Sequence, residues 1–327
     1  MKAILPLHKA VSLLNRWGAS KTPFLFYTNY NATLWFVQKL SEVDASEVSY
    51  SLPMGSNCPK IAPHTIAKWE IEKPDFTAYK QAFDKVQEGL QRGDSFLTNL
   101  TWATPIRTNL TEEQLYAMAK APFRLWVKGE FCVFSPEPFV HIEGNVIRTF
   151  PMKGTIQGTS DEARQYLLNS PKEQAEHATI VDLLRNDLSI ISNEVRVERY
   201  RYIERIDTVN GPILQTSSEI TGKIRSEFHY RWGDILSALL PAGSVTGAPK
   251  RRTLEIIETS EPTPRNWYTG IFGICNGKKL QSAVMIRFVE FTPTGEWIFH
   301  SGGGITAQST PKQEFDEMIL KTHAPIH

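Results

Sequence analysis

The amino-acid sequence predicts an α+β protein in which large antiparallel sheets are covered by helices. Segments rich in β-branched and aromatic residues and segments with apolar residues at three- and four-residue spacing both run the length of the chain. They do not alternate in the strand-helix rhythm of a doubly wound parallel sheet. The chain has 327 residues, is 41% hydrophobic and carries no polar low-complexity tract, which is enough for a substantial core.

Taken in order, Met1 to Ser20 is broken by Lys2, His8, Lys9 and Arg16 and lacks the continuous apolar stretch of a secretion signal. No run approaches membrane-spanning length, so a cytoplasmic protein is expected. Pro53, Pro59, Pro63 and Pro74 punctuate a stretch without clear periodicity. A seam there sets an N-terminal layer, residues 1–70 packed on the core, apart from a single compact unit over 71–327. Phe76, Tyr79, Phe83, Val86 and Leu90 then form the buried stripe of a helix that stops before Gly93. A second helix opens at Thr111, where Gln114 completes a capping box. A third runs from Pro171 to Leu188, and Thr310 and Pro311 open a fourth. Strands are expected at Val195 to Tyr200, Ala283 to Phe291 and Trp297 to His300.

Thirty-six basic against 35 acidic residues leave a net charge of +1, which gives no electrostatic reason to expect nucleic acid or an anionic membrane surface. A small ligand fits better than a polymer. Cys58, Cys132 and Cys275 match neither a disulfide framework nor the paired spacing of a zinc site, and read as buried small hydrophobes.

Three clusters carry chemistry. Pro151-Met152-Lys153-Gly154-Thr155 sets a lysine in a short turn, where it is either a solvated cation or a nucleophile whose amine must be kept uncharged by its surroundings. Glu173 with Glu176, and Glu314 with Glu317, are i,i+3 pairs that share a helical face. Such faces are either solvated or, brought together, an oxygen-only site suited to Mg²⁺. Gly243 to Lys250 and Gly302-Gly303-Gly304 can expose backbone amides to an anion such as a carboxylate, or merely serve tight turns.

Together these residues resemble the chorismate-utilising enzyme family, whose members include anthranilate synthase component I, isochorismate synthase and aminodeoxychorismate synthase component I. The resemblance rests on Ser135-Pro136-Glu137, Pro151 to Thr155, the Glu173 to Asp187 helix, Gly243 to Lys250, Tyr268 to Gly273, Ile286-Arg287 and Gly302 to Lys321. It covers roughly Gly93 to His323, while the first 70 residues carry no assignable motif. It implies a sandwich of antiparallel sheets covered by helices.

Within the family, anthranilate and isochorismate synthases usually have alanine where this chain has Lys153, so the resemblance is closest to aminodeoxychorismate synthase component I. That implies Lys153 as nucleophile at C2 of chorismate, Glu137 as the acid for the leaving 4-hydroxyl, and ammonia adding at C4. The same resemblance makes Glu176 and Glu317 direct Mg²⁺ ligands, with Glu173 and Glu314 acting nearby or through water. Tyr268 and Arg287 would meet the enolpyruvyl carboxylate. Gly154, Thr155, Thr246, Gly302, Gly303, Gly304 and Lys321 complete the implied substrate contacts. Ammonia is implied to come from a separate glutamine amidotransferase subunit, for p-aminobenzoate and folate synthesis. Gln215 departs from the family, standing where relatives usually have histidine, and glutamine cannot donate a proton at matched pKa. An anthranilate or isochorismate synthase, or a silent chorismate-binding or glutaminase-docking paralogue, are the alternatives.

Overall fold

The computed structural model describes residues 4–58, 67–208 and 211–326. Its elements begin with β1 (Ile4–Pro6), α1 (Leu7–Ala19), β2 (Phe24–Thr28), β3 (Leu34–Lys39), β4 (Val48–Leu52), β5 (Gly55–Ser56), β6 (Trp69–Ile71) and α2 (Phe76–Gln91). There follow β7 (Leu97–Thr108), α3 (Glu112–Met118), β8 (Phe123–Val127), β9 (Phe131–Ser135), β10 (Pro138–Glu143), β11 (Val146–Thr149), β12 (Met152–Gln157), α4 (Asp161–Asn169) and α5 (Pro171–Ser189). The chain ends with β13 (Ser192–Thr208), β14 (Gly211–Ile224), α6 (Trp232–Leu239), β15 (Gly247–Ala248), α7 (Lys250–Ser260), β16 (Ile271–Cys275), β17 (Lys279–Val284), β18 (Phe288–Phe291), β19 (Trp297–Ile305) and α8 (Pro311–Leu320).

Among the described residues the strands form a ten-stranded sheet, ordered β1-β3-β2-β16-β17-β10-β11-β14-β12 with β13 along β14, and a nine-stranded sheet, ordered β15-β7-β19-β18-β9-β8-β4-β5 with β6 along β7. Their pairings are antiparallel. Alternation along the strands decides how they stack, because successive side chains leave opposite faces. On β2, Leu25 and Tyr27 join Val48, Leu125, Phe131 and Phe288 of the other sheet in a shared core. Phe24 and Phe26 face the other way and pack with Leu14 of α1 and Trp232 and Leu236 of α6. Over the far face of the second sheet, Tyr79, Phe83 and Val86 of α2 meet Phe315 and Met318 of α8 on Leu100 and Ile305. The architecture is the expected α+β sandwich of antiparallel sheets covered by helices.

The expected helices form at Phe76–Gln91, Glu112–Met118, Pro171–Ser189 and Pro311–Leu320, with both halves of the Thr111–Gln114 capping box made. Two readings need correction. Ala283 to Phe291 is not one strand: β17 ends at Val284 in the ten-stranded sheet, β18 begins at Phe288 in the nine-stranded sheet, and Arg287 makes the turn with φ +53°. A continuous apolar run cannot reveal a crossing between two buried sheets. The first 70 residues also do not lie as a layer over the rest. Strands β1, β3 and β2 extend one sheet through β16, while β4 extends the other through β8. Pro59 and Pro63 of the expected seam lie outside the described residues. Cys132 and Cys275 are buried as expected, whereas Cys58 is only partly so.

Helices α1 and α6 approach closely because Gly18 and Gly233 carry no side chain. A methyl group at Gly18 would lie 1.9 Å from the Tyr230 carbonyl oxygen. We therefore expect Gly18→Ala to destabilise the fold by about 2 kcal/mol or more, as overpacking against backbone does. Urea unfolding of the two proteins gives the number, and an unchanged midpoint would contradict this packing.

Candidate active site

Lys153 lies in β12, where the ladder to β14 is irregular between Met152 and Thr155. The side chain is partly buried and reaches β19: a Cβ placed on Gly304 would sit 2.9 Å from Lys153 Nζ. Gly154, at φ +82°, faces α5, and a Cβ there would sit 2.7 Å from Glu173 Oε2 and 3.1 Å from Thr216 Oγ1. A Cβ on Gly303 would lie 3.5 Å from Glu314 Oε2 and 3.8 Å from Lys321 Nζ. Three missing side chains thus make the space into which α5, α8 and β12 direct charged groups.

Glu137 occupies the link between β9 and β10. Its main-chain N–H donates to Ser135 Oγ at 3.1 Å, and its carboxylate accepts from Ser244 Oγ. Burial raises its pKa above the usual carboxylate range, opposed by the Ser244 hydrogen bond and by the charge of Lys153. Ser244 belongs to the one-turn helix Gly243–Val245, so the glycine-rich loop supports the acid by a side-chain hydroxyl. Thr246 is fully buried, and its own hydroxyl donates to Ala242 O at 2.8 Å.

A buried ion pair fixes that loop. Arg265 donates to Glu261 at 2.7 and 2.8 Å, to Val245 O at 2.6 Å and to Asn99 O at 2.6 Å. Three residues on, Tyr268 is buried, with its phenol pushed well above the ordinary value by desolvation. Arg287 donates to Lys321 O at 2.7 Å. Lys321 in turn reaches Glu317 Oε1 at 2.6 Å and Gly302 O at 3.3 Å.

Glu314 is 7% exposed and accepts from Ser309 Oγ at 2.8 Å. It and Glu317 both raise the pKa of Tyr79 behind them, after burial itself. Glu176 lines a cleft of about 220 Å³ with Phe96, Leu97, Thr179 and Thr306. Glu314 thus borders the glycine strand at Gly303, while Glu173 borders Gly154 and Glu176 the cleft beside Thr306. They do not converge to a point: among the described residues no three acidic, histidine or cysteine side chains form a metal-ready group.

Some expectations shift. Gly302 to Gly304 lie within β19, paired with β7, rather than in a loop after a strand. Their value is the side-chain-free face, and β18 borders β19 only as far as His300. Thr155 is exposed and pairs across the ladder with Gln215. By strand alternation Gln215 and Ser217 face away from α5, whereas Thr216 and Ser218 face it. The imidazole that the structure does place beside Lys153 is His177 of α5, fully buried, with Nε2 2.6 Å from Ser218 Oγ. Burial first, then the charges of Arg201 and Lys153, lower its pKa to about 4. Its only sequence signal was its position one step beyond Glu176. Ser244 and Arg265 likewise carried no signal of their own.

A two-sheet sandwich with a lysine, a raised-pKa glutamate and two acidic helices around a glycine strand defines an enzyme of the chorismate-utilising class. The chain belongs to the chorismate binding enzyme family, whose model matches residues 16–327. An uncharacterised PabA-like protein of Haemophilus influenzae is 45% identical over 313 residues, covering 95% of each chain. Aminodeoxychorismate synthase component 1 of Salmonella typhimurium is 33% identical over 266 residues, which are 76% of this chain and 57% of that one. The chain thus spans a little over half the length of that relative. Among solved structures, the menaquinone-specific isochorismate synthase MenF of Escherichia coli matches with TM-score 0.73 at 16% identity, covering 98% of this chain and 82% of that one, a likeness of fold alone.

Gly304→Ala should displace Lys153 Nζ, because the added methyl would lie 2.9 Å from it. The flexible lysine can move aside, so we expect the melting temperature to change little and turnover of chorismate to fall by about tenfold or more. Steady-state kinetics alongside a thermal melt would show it; wild-type turnover would contradict the placement of Lys153.

Proposed function

We propose that this chain aminates chorismate at C4 to give 4-amino-4-deoxychorismate, as an aminodeoxychorismate synthase component I. The observation that carries this reading is the placement of Lys153 Nζ over Gly304, beside Glu137 and between the acidic helices. In the reaction, the Nζ lone pair forms a bond to C2 of the ring as the C4–O bond breaks. Glu137 gives its proton to the departing oxygen, which leaves as water. Ammonia then bonds to C4, the ring double bond shifts back, the C2–Nζ bond breaks to release Lys153 as the amine, and the C4 ammonium so formed returns a proton to Glu137. Two easier displacements replace one difficult substitution.

Burial keeps Glu137 protonated to higher pH than an ordinary glutamate, as an acid catalyst requires. Tyr268 and Arg287 are assigned to the enolpyruvyl carboxylate, where a guanidinium matches a carboxylate in shape and charge. The donor chemistry of Glu173, Glu176, Glu314 and Glu317 is all oxygen and suits a hard cation, which Glu176 and Glu317 would hold directly once the pairs draw together and Lys321 releases Glu317. Held there, Mg²⁺ would supply charge neutralisation and orientation for the ring carboxylate. The thiols of Cys132 and Cys275 are buried with raised pKa, unsuited to attack on glutamine, so ammonia is assigned to a separate glutaminase subunit.

Purified protein with chorismate, Mg²⁺ and ammonium, read by mass spectrometry, tests the reading. Aminodeoxychorismate is expected; anthranilate, isochorismate or unchanged substrate would overturn it. Lys153→Ala should abolish or redirect amination while leaving chorismate binding measurable by calorimetry, and amination at the wild-type rate would refute the covalent step. Glu317→Gln should raise the Mg²⁺ concentration needed for half-maximal rate, and an identical magnesium titration would remove Glu317 as a ligand.

The pH dependence follows from Glu137. Because the protonated form acts, the rate falls as pH rises through its raised pKa. Ser244 donates to the carboxylate and so favours the charged form. Ser244→Ala should therefore move the basic limb of the kcat profile to higher pH; a shift to lower pH would contradict the assignment.

A further inference from the structure

The backbone that carries Lys153 lacks part of its ladder. Between Met152 and Thr155 the register with β14 slips, so the strand is held there by other means. Ser218 N–H donates to Pro151 O at 3.0 Å, and Thr216 Oγ1 donates to the Lys153 carbonyl oxygen. A carbonyl oxygen has room for a second donor.

His177 is a candidate to fill that place. Its side chain is fully buried, and the Lys153 main chain is among the groups that act on its pKa. Among the described residues Nδ1 makes no hydrogen bond, an expensive state for a buried polar atom. The Ser218 contact bears on where its proton sits. Ser218 Oγ accepts from Arg201 N–H at 2.9 Å and lies 2.6 Å from His177 Nε2, where its hydroxyl proton can be given to the ring. An acceptor Nε2 puts the ring proton on Nδ1. In that tautomer the chain of donors runs from Arg201 through Ser218 and the imidazole toward Lys153.

We propose that His177 is a positioning residue that fixes the Lys153 turn, its Nδ1–H becoming the second donor to the Lys153 carbonyl when substrate fills the site. The proposal rests on the reading of Lys153 as nucleophile for its purpose, but its geometry is tested apart from any amination. Two substitutions separate the ring nitrogens: Asn places its amide nitrogen near Nδ1, whereas Gln places its own near Nε2.

Deuterium uptake of the peptide spanning Met152–Gln157, measured with chorismate bound, should match wild type in His177→Asn and rise in His177→Gln and His177→Leu. Turnover should follow the same order, with kcat reduced by about tenfold in His177→Gln and the KM for chorismate unchanged, as loss of alignment requires. Equal rescue by Asn and Gln, or uptake unchanged in all three variants, would overturn the proposal. In wild-type protein, ¹⁵N-histidine spectra assigned by the loss of one signal in His177→Asn should show the Nδ1–H tautomer. An Nε2–H tautomer would overturn it independently of any variant. Neither uptake nor tautomer contains an amination step, so failure of the proposed reaction leaves both readouts able to judge His177.

Discussion

The guanidinium of Arg265, 2% exposed and paired with a 4% exposed Glu261, is the interaction on which the site's geometry depends. Removing such charges from water costs several kcal/mol each, and the cost is offset only where every donor finds an acceptor. Here both carboxylate oxygens of Glu261 and two main-chain carbonyls are used, while the Tyr30 ring lies 4.6 Å from the guanidinium carbon. Thr101 adds its N–H and hydroxyl to Glu261 at 2.8 and 2.9 Å. The pair therefore joins β7, the end of α7 and the loop that carries Ser244. Neither residue touches the reacting atoms, yet loss of one would leave the other buried and uncompensated.

What that scaffold frames is defined as much by missing side chains as by present ones. Gly154, Gly303 and Gly304 each leave a volume that a charged group from another element occupies or borders. Lys153, Glu173, Glu314 and Lys321 converge on this space from a strand and two helices. Charges of both signs lie close there, so each one's protonation is coupled to its neighbours. Irregular backbone at Lys153 is part of the same design, because a regular ladder would fix the strand without help from side chains.

Much of the fold was legible in the sequence. The Phe76 to Leu90 stripe, the Thr111–Gln114 box and Pro171 at a helix start are local signals that hold whatever surrounds them. The run from Ala283 to Phe291 misled because both sheets are buried there: hydropathy is the same on each side of the turn at Arg287, and only φ distinguishes it. The proline-rich stretch misled as well, since strands before it complete both sheets. Of the site, Lys153, Glu137 and the two acidic pairs were legible because their residue types and spacings are uncommon together. Ser244, His177 and Arg265 were not, being ordinary residues whose partners lie 107, 41 and 166 positions away along the chain.

The sequence by itself determined the family, the positions of four helices and which chemical groups are available: an amine, an acid, four carboxylates and a run of glycine. Those follow from local periodicity, capping and motif spacing, none of which needs a partner. Tertiary structure alone decided that β14 turns Thr216 and Ser218, rather than Gln215, toward α5, and that the glycines form a side-chain-free strand. It also decided that His177 lies against Lys153. The physical reason is that strand register and helix docking are set by long-range packing, and a side chain's neighbours across a sheet are fixed only when that packing is complete.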